Sequence, residues 1–346
     1  MTLSGARMKP MIVITMGDPG GIGPEIILKT LREINLSKAI LLVIGSRNVF
    51  QFAESKIKIH LEFHQISEMS ENAFSDKKIN FFDVETKADE IYSKVFQCAR
   101  PADESVSYGN LGRWNAALTY ATLETAARYA KEGLISGIVT APINKEAMRM
   151  LDPGFVGHTE FFAQTAGVKN FAMMFVSERL RVTLATIHVP LKEVSNRLNT
   201  DTIRSRILLT DEFLKRRIGI PNPKIGVAAL NPHGREFGRE EDEIILPAIE
   251  QARNAGADAI GPMPGDQIFN QAYAGKLDAV IAMYHDQGLA PFKMIAFHDG
   301  VNTTLGLPYL RTSPDHGTAF DIAYQNKADH SSFKQSFEYM EAWLSK

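Results

Sequence analysis

Three histidines stand where they could do chemistry. Val182-Thr-Leu-Ala-Thr-Ile187 runs into His188-Val189-Pro190, and Ile225-Gly-Val-Ala-Ala-Leu230 runs into Asn231-Pro232-His233-Gly234. Ala279-Val-Ile-Ala-Met-Tyr284 runs into His285-Asp286-Gln287-Gly288. Each preceding run is apolar, so each histidine falls near the carboxyl end of an expected buried strand. Loops at that edge of an open parallel or mixed sheet converge on a crevice. Three neutral imidazoles can hold one divalent cation and leave positions open for substrate or water. Imidazole favours zinc, cobalt or nickel over manganese or magnesium. Asp286 could orient an imidazole, or bind metal or substrate directly. The ordinary alternative is a strand-end histidine that only hydrogen-bonds its own loop. Spacing does not say whether the three meet in one subunit or across a dimer.

A second group of residues suits an anion. Gly157-His158-Thr159-Glu160 precedes Phe161-Phe162 and reads as a loop entering a helix. His158 and Thr159 could present polar groups at a helix N-terminus, where negative charge is favoured; otherwise Thr159 simply caps that helix. Lys293, Asn302 and Arg311 follow, the lysine and arginine set between apolar stretches. An arginine fork suits phosphate or carboxylate, with lysine as a point charge. The glycine-rich stretch Gly17-Asp-Pro-Gly-Gly-Ile-Gly23 is neither Gly-x-Gly-x-x-Gly nor a Walker loop. Its Gly20-Gly21 pair could serve close packing alone. Asp315-His316-Gly317-Thr318-Ala319 is a better candidate for cofactor contact, with capping by Asp315 or Thr318 of a following helix as the alternative.

These residues need a frame to hold them. Met11–Thr15 and residues 39–44 read as buried strands around a helix from Glu25 to about Leu31, with Pro24 in its first turn. Ile57–His60 and Ile79–Phe82 alternate like edge or antiparallel strands. Trp114–Ala130 reads as a long helix, followed by a strand over Gly133–Thr140. Further strands are expected at Phe171–Val176, Val182–Ile187, Ile225–Leu230 and Ala279–Tyr284. Helices are expected at Thr202–Arg217, Glu241–Ala255 and Thr318 to about Tyr324. The order is that of an α/β layered protein.

The whole chain agrees. Its 346 residues suggest about two domains, and 45% hydrophobic residues can build substantial cores. A formal charge of -2 gives no reason to expect nucleic acid or an acidic membrane as partner. The lone Cys98 excludes an intrachain disulfide, and its patterned surroundings read as those of a partly buried small residue rather than a redox centre. The first ten residues lack a secretory pattern, and no apolar run approaches the length of about 18 residues that a membrane helix needs. The expectation is a soluble cytoplasmic protein.

In order along the chain, the distinctive motifs are Thr15-Met-Gly-Asp-Pro-Gly-Gly-Ile-Gly-Pro24, Thr140-Ala-Pro-Ile-Asn-Lys145, Gly157-His-Thr-Glu-Phe-Phe162 and Asn231-Pro-His233. Met283-Tyr-His-Asp-Gln-Gly288, Gly306-Leu-Pro308 and Arg311-Thr-Ser-Pro-Asp-His-Gly-Thr-Ala319 complete the set. Together they resemble the 4-hydroxythreonine-4-phosphate dehydrogenase family of vitamin B6 biosynthesis over nearly the whole chain. The resemblance implies a two-domain α/β fold like that of isocitrate and isopropylmalate dehydrogenases, not a Rossmann fold. The domains would be 1–145 plus 300–346, carrying cofactor-side elements, and 146–299, carrying the metal ligands and the dimer interface.

The resemblance further implies a homodimer with shared active sites and one divalent ion per site (zinc, cobalt or magnesium) on His188, His233 and His285. Substrate contacts would be His158, Thr159, Lys293, Asn302 and Arg311. Asp266 and Asp286 would lie near the metal and reacting groups, and Asp266 or Lys293 would relay a proton. NAD or NADP would meet Asn302, Leu305, Gly306, Leu307, Asp315, His316, Gly317 and Thr318. The implied reaction oxidises 4-phosphooxy-L-threonine to 2-amino-3-oxo-4-phosphooxybutanoate, which loses carbon dioxide to give 3-amino-2-oxopropyl phosphate. A paralogue acting on D-threonate or D-erythronate 4-phosphate, and a non-catalytic metabolite-binding protein, are the competing readings. The chain departs from the family in a shortened loop after His233 and in Tyr324-Gln325-Asn326, where a glycine-flanked turn is usual.

Overall fold

Strand-forming, β-branched runs alternate with amphipathic helices along the chain, and this alternation builds two compact units. The structure, a computed structural model, describes residues 9–35 and 38–346, leaving aside the side chain of Glu71. The N-terminal segment read above for a secretory pattern therefore lies almost wholly outside the described residues. The first unit comprises the described residues up to Ala166 together with Pro308–Leu344, and the second comprises Gly167–Leu307 with Ser345–Lys346.

In the first unit, β1 (Met11–Thr15), β2 (Ile40–Gly45), β3 (Phe63–Ile66), β4 (Ile79–Asp83), β5 (Gly137–Thr140) and β12 (Leu310–Pro314) take the order β3-β4-β2-β1-β5-β12. Every pairing between these neighbours is parallel. Strands covered on both faces read as unbroken apolar runs, and β1 is buried at every position. The helix Arg113–Lys131 lays a face of buried alanines, including Ala116, Ala117 and Ala121, toward the core of this unit.

In the second unit, β6 (Ala172–Val176), β7 (Arg181–Leu184), β8 (Lys224–Ala228), β9 (Asp258–Met263), β10 (Ala279–Ala282) and β11 (Val301–Leu305) take the order β11-β6-β7-β10-β8-β9. β11, β6 and β7 pair antiparallel, whereas β7, β10, β8 and β9 run parallel. Val182, Leu184, Val280 and Ala282 pack with Ile268 and Phe292 in the core on one side of this sheet.

Several expectations change. Ile57 ends the helix Arg47–Ile57 and residues 58–62 form a loop, so the alternation at 57–60 is not a strand. β4 is where expected but pairs in parallel. No helix spans 318–324: Ala319, Tyr324 and Asn326 all have positive φ, which leaves only the short turn Phe320–Ile322. Asp315 and Thr318 therefore cap nothing longer than that turn. Cys98 lies exposed beyond the end of the helix Glu85–Phe96. The unit divisions fall later than 145 and 299. Lys145–Arg149 and His158–Ala166 pack on the helix Arg113–Lys131, and β11 pairs with β6. Among the described residues, no helix is long and apolar enough to cross a membrane.

Candidate active site

The order β7-β10-β8 explains why three distant histidines share one edge. These strands are parallel neighbours, and His188, His233 and His285 follow their respective carboxyl ends. Ala185 and Thr186 extend the β7 pairing, their amides donating to the carbonyls of Ala282 and Met283. Thr186 Oγ1 also donates to Met283 O at 2.8 Å. His188 is thereby held beside His285, with ring centroids 5.9 Å apart and planes inclined at 38°. Two imidazoles on one tetrahedral cation at about 2.1 Å per nitrogen would have centroids about 5 Å apart, so small side-chain rotations bring the pair to a common ion. Asp286 Oδ1 lies 2.7 Å from His285 Nδ1, the second-nitrogen contact expected of a metal-ligating imidazole.

His233 takes a different course. It adopts a left-handed backbone (φ 57°), and its Nδ1 lies 3.4 Å from Glu236 Oε2. Its ring packs edge-on against Phe237 at 6.0 Å. His233 and Asp266 line a cleft of 720 Å³, whereas His188, His285 and Asp286 line one of 440 Å³; Tyr284 borders both. Within the single chain the His233 ring thus contacts its own loop, while His188 and His285 face each other. Among the described residues, no three His, Cys, Asp or Glu side chains gather as a metal shell. The loop after Pro232 turns the His233 ring toward its own Glu236 and Phe237.

On the helix His285–Ala296, Asp286 and half-buried Lys293 are seven residues apart and so share a face. Asn302 lies on β11 opposite Phe175, and its Oδ1 is buried without a hydrogen-bond partner. Such an acceptor favours a ligand donor.

The first unit holds His158, Thr159 and Arg311 of the residues expected to meet an anion. Arg311 on β12 is 2% exposed, and its Nη2 donates to Thr140 Oγ1 at 2.7 Å. Its Nη1 makes a longer contact, 3.4 Å, with Thr159 Oγ1. Burial lowers the Arg311 pKa to about 10, against the opposing influence of Glu160 and Tyr309; the side chain stays a cation. The helix begins at His158, so Thr159 lies in its first turn and is not its cap. Burial first, then the charges of Arg311 and Lys145, hold His158 well below its ordinary pKa. Its Nε2 is buried with no hydrogen-bond partner. A neutral imidazole beside a buried guanidinium offers polar contacts and one positive charge to an incoming anion.

Comparison with known proteins decides the family. The family described as pyridoxal phosphate biosynthetic protein PdxA matches residues 37–340. The chain belongs to the PdxA family. It is 44% identical over 328 residues to the 4-hydroxythreonine-4-phosphate dehydrogenase of Desulforapulum autotrophicum, covering 94% of this chain and 92% of that protein. It is 40% identical over 331 residues to the D-threonate 4-phosphate dehydrogenase of Salmonella typhimurium, covering 94% and 97% respectively. The crystal structure of 4-hydroxythreonine-4-phosphate dehydrogenase from Klebsiella pneumoniae superposes with a TM-score of 0.82 at 38% identity, over 98% of this chain and 100% of that one. The two-domain isocitrate/isopropylmalate dehydrogenase-like α/β fold expected from the resemblance is the fold observed.

In this PdxA-family chain the segment expected to meet the cofactor is divided. Leu305 ends β11; Gly306 turns with φ 87°, and a Cβ there would sit 2.4 Å from Asn170 O. The turn and close approach account for that glycine. In the other unit, Thr318 O accepts from Ile22 N at 2.9 Å, and a Cβ on Gly21 would lie 2.7 Å from the same oxygen. The packing reading of the glycine-rich stretch is therefore the one observed at Gly21. Asp315 N donates to Ser332 Oγ, and His316 Nδ1 lies 3.1 Å from Gly317 O.

Three positioning residues escaped the sequence reading. Gln287 spans the ends of β8 and β10: its Nε2 donates to Ala229 O and its Oε1 accepts from Met283 N, both at 2.7 Å. Glu241, 1% exposed, accepts from the amides of Leu230 and Asn231 and from Asn231 Nδ2. Thr140 receives the Arg311 bond. The Met283–Gly288 motif contained Gln287, but only the β8–β10 adjacency reveals what it bridges.

Proposed function

We propose that the protein oxidises 4-phosphooxy-L-threonine with NAD or NADP to 2-amino-3-oxo-4-phosphooxybutanoate, which decarboxylates to 3-amino-2-oxopropyl phosphate. The observation that carries this reading is the His188–His285 pair, oriented by Asp286 at adjacent strand ends. A divalent ion (zinc, cobalt or magnesium) there would lower the pKa of the substrate hydroxyl and polarise the ketone that follows. Asn302, Leu305–Leu307 and residues 315–318 are the candidates for holding a nicotinamide, which would supply the hydride acceptor. His158, Thr159 and Arg311 hold the anionic end of the substrate by hydrogen bonds and charge. Lys293 and Asn302 contribute a further cation and an amide, while Asp266 or Lys293 moves the hydroxyl proton.

His233 completes the imidazole set in this reading through a homodimer with shared sites. Exposed apolar side chains support that assembly: in the second unit Met294 is 88% and Phe297 71% exposed, just beyond the Asp286–Lys293 face.

A second reading, oxidation of D-threonate or D-erythronate 4-phosphate, is favoured by the short loop after His233 and by the 40% identity to a D-threonate 4-phosphate dehydrogenase. Parallel turnover assays with the three phosphorylated acids, following cofactor reduction by absorbance, separate them. The expected result is preferential turnover of 4-phosphooxy-L-threonine, lost on chelation and restored by a divalent metal. Preferential turnover of the D-acids selects the second reading, and failure with every substrate and metal sinks both.

A further inference from the structure

The motif Thr140-Ala-Pro-Ile-Asn-Lys145 contributes Thr140 to Arg311, but its last residue has no role in the function proposed so far. Asn144 caps the short helix Lys145–Arg149, its Oδ1 accepting from Glu146 N at 2.8 Å and Ala147 N at 3.1 Å. Lys145 is therefore pinned by its backbone at the first helical position. Its side chain reaches across to Gly157: Cε lies 3.6 Å and Nζ 3.8 Å from the space a Cβ would occupy there. Gly157 immediately precedes the helix His158–Ala166, whose N-terminus carries partial positive charge. Glu160 Oε2 comes within 3.0 Å of the same space, yet among the described residues no ion pair joins it to Lys145.

Positive charge thus accumulates in one place. Lys145, the helix N-terminus and buried Arg311 surround an imidazole that stays neutral, with Glu160 the nearby carboxylate. Gathering like charges about a buried, unpartnered His158 Nε2 is costly unless a multiply charged anion joins them. A phosphoryl dianion has oxygens enough for both cations and the imidazole.

We propose that Lys145 is a phosphate-binding residue, its ammonium holding the phosphoryl group at the start of the His158–Ala166 helix, together with His158 and Arg311. This inference rests on the dehydrogenase reading only in identifying the phosphoryl group as the substrate's. Lys145 works by charge and reach, so arginine can replace it and glutamine cannot.

The test is thermal stabilisation of the full-length protein by inorganic phosphate, with KM and kcat for 4-phosphooxy-L-threonine measured alongside. Loss of a charge-assisted hydrogen bond predicts about a tenfold or larger rise in half-saturating phosphate and in KM for Lys145→Gln. Its kcat stays within about threefold, and Lys145→Arg recovers most of the loss. Melting without phosphate, matched to wild type, shows that the variant folds. Equal half-saturation for wild type and Lys145→Gln overturns the inference and leaves the dehydrogenase reading intact. Lys145-dependent phosphate binding without turnover of any phosphorylated hydroxy acid does the reverse. A wild-type protein that phosphate does not stabilise overturns the inference outright.

Discussion

Asp286 Oδ1 lies 2.7 Å from His285 Nδ1, on consecutive residues at the start of one helix. The carboxylate accepts a hydrogen bond from Nδ1–H, which leaves Nε2 as the basic nitrogen, the one that would bind the proposed metal. Asp286→Asn keeps the shape but loses the charge that raises imidazole basicity. We expect about a 10- to 100-fold fall in affinity for zinc or cobalt. Competition with a chromophoric chelator measures it, and unchanged affinity removes Asp286 from the site.

Glu241 secures the start of the loop that carries His233. Glu241→Ala leaves the amides of Leu230 and Asn231 without their acceptor, while Asn231 Nδ2 keeps its bond to Glu240 Oε2, a loss of about 2–4 kcal/mol in unfolding free energy. Glu241→Gln keeps an acceptor oxygen and should cost less. Urea denaturation of the two variants checks the order, and an alanine variant as stable as wild type contradicts it.

His158 and Asp18 give opposite pH signatures. Because burial and two cations depress His158, the unfolded chain alone binds the proton between that lowered pKa and 6.5. Stability is therefore lost as pH falls through this window. Burial raises Asp18 from 3.8 to about 6, so there the folded chain alone binds the proton. That contribution is fully present below 3.8 and is lost as pH rises through about 6. His158→Gln should flatten the acid-side loss, and Asp18→Asn should gain on wild type as pH rises. Denaturation midpoints across this range decide both, and parallel curves for all three proteins would refute the assignments.

Tyr324 donates to Pro19 O at 2.5 Å and packs edge-on against Tyr108 and Phe52. Tyr324→Phe should lower stability by about 1–2 kcal/mol by leaving that carbonyl unpaired. Tyr324→Gly relieves the positive φ of 60° but forfeits the aromatic contacts, and should lose more. Calorimetric melting distinguishes them; a glycine variant more stable than Phe shows that backbone strain dominates.

Much of the second unit was legible because burial on both faces imposes apolar runs, and β8 and β10 carry them. β11 and β12 were not read as strands, since Val301-Asn-Thr-Thr-Leu305 and Leu310-Arg-Thr-Ser-Pro314 are half polar. Their threonines are buried because partners exist only in the folded chain, as Thr312 Oγ1 shows by donating to Ser336 O. The expected helix at 318–324 failed because local propensity yields to the hydrogen bond and ring contacts that hold Tyr324 in a left-handed conformation.

The residue types and their place after apolar runs marked, unaided, three histidines near the carboxyl ends of buried strands and Arg311 as a candidate for an anion. Only tertiary structure decided that His285 faces His188 while His233 turns away, because strand order and loop conformation join residues about a hundred positions apart. It alone also made His158 neutral, since a pKa depends on burial and neighbouring charge rather than on the residue's own chemistry.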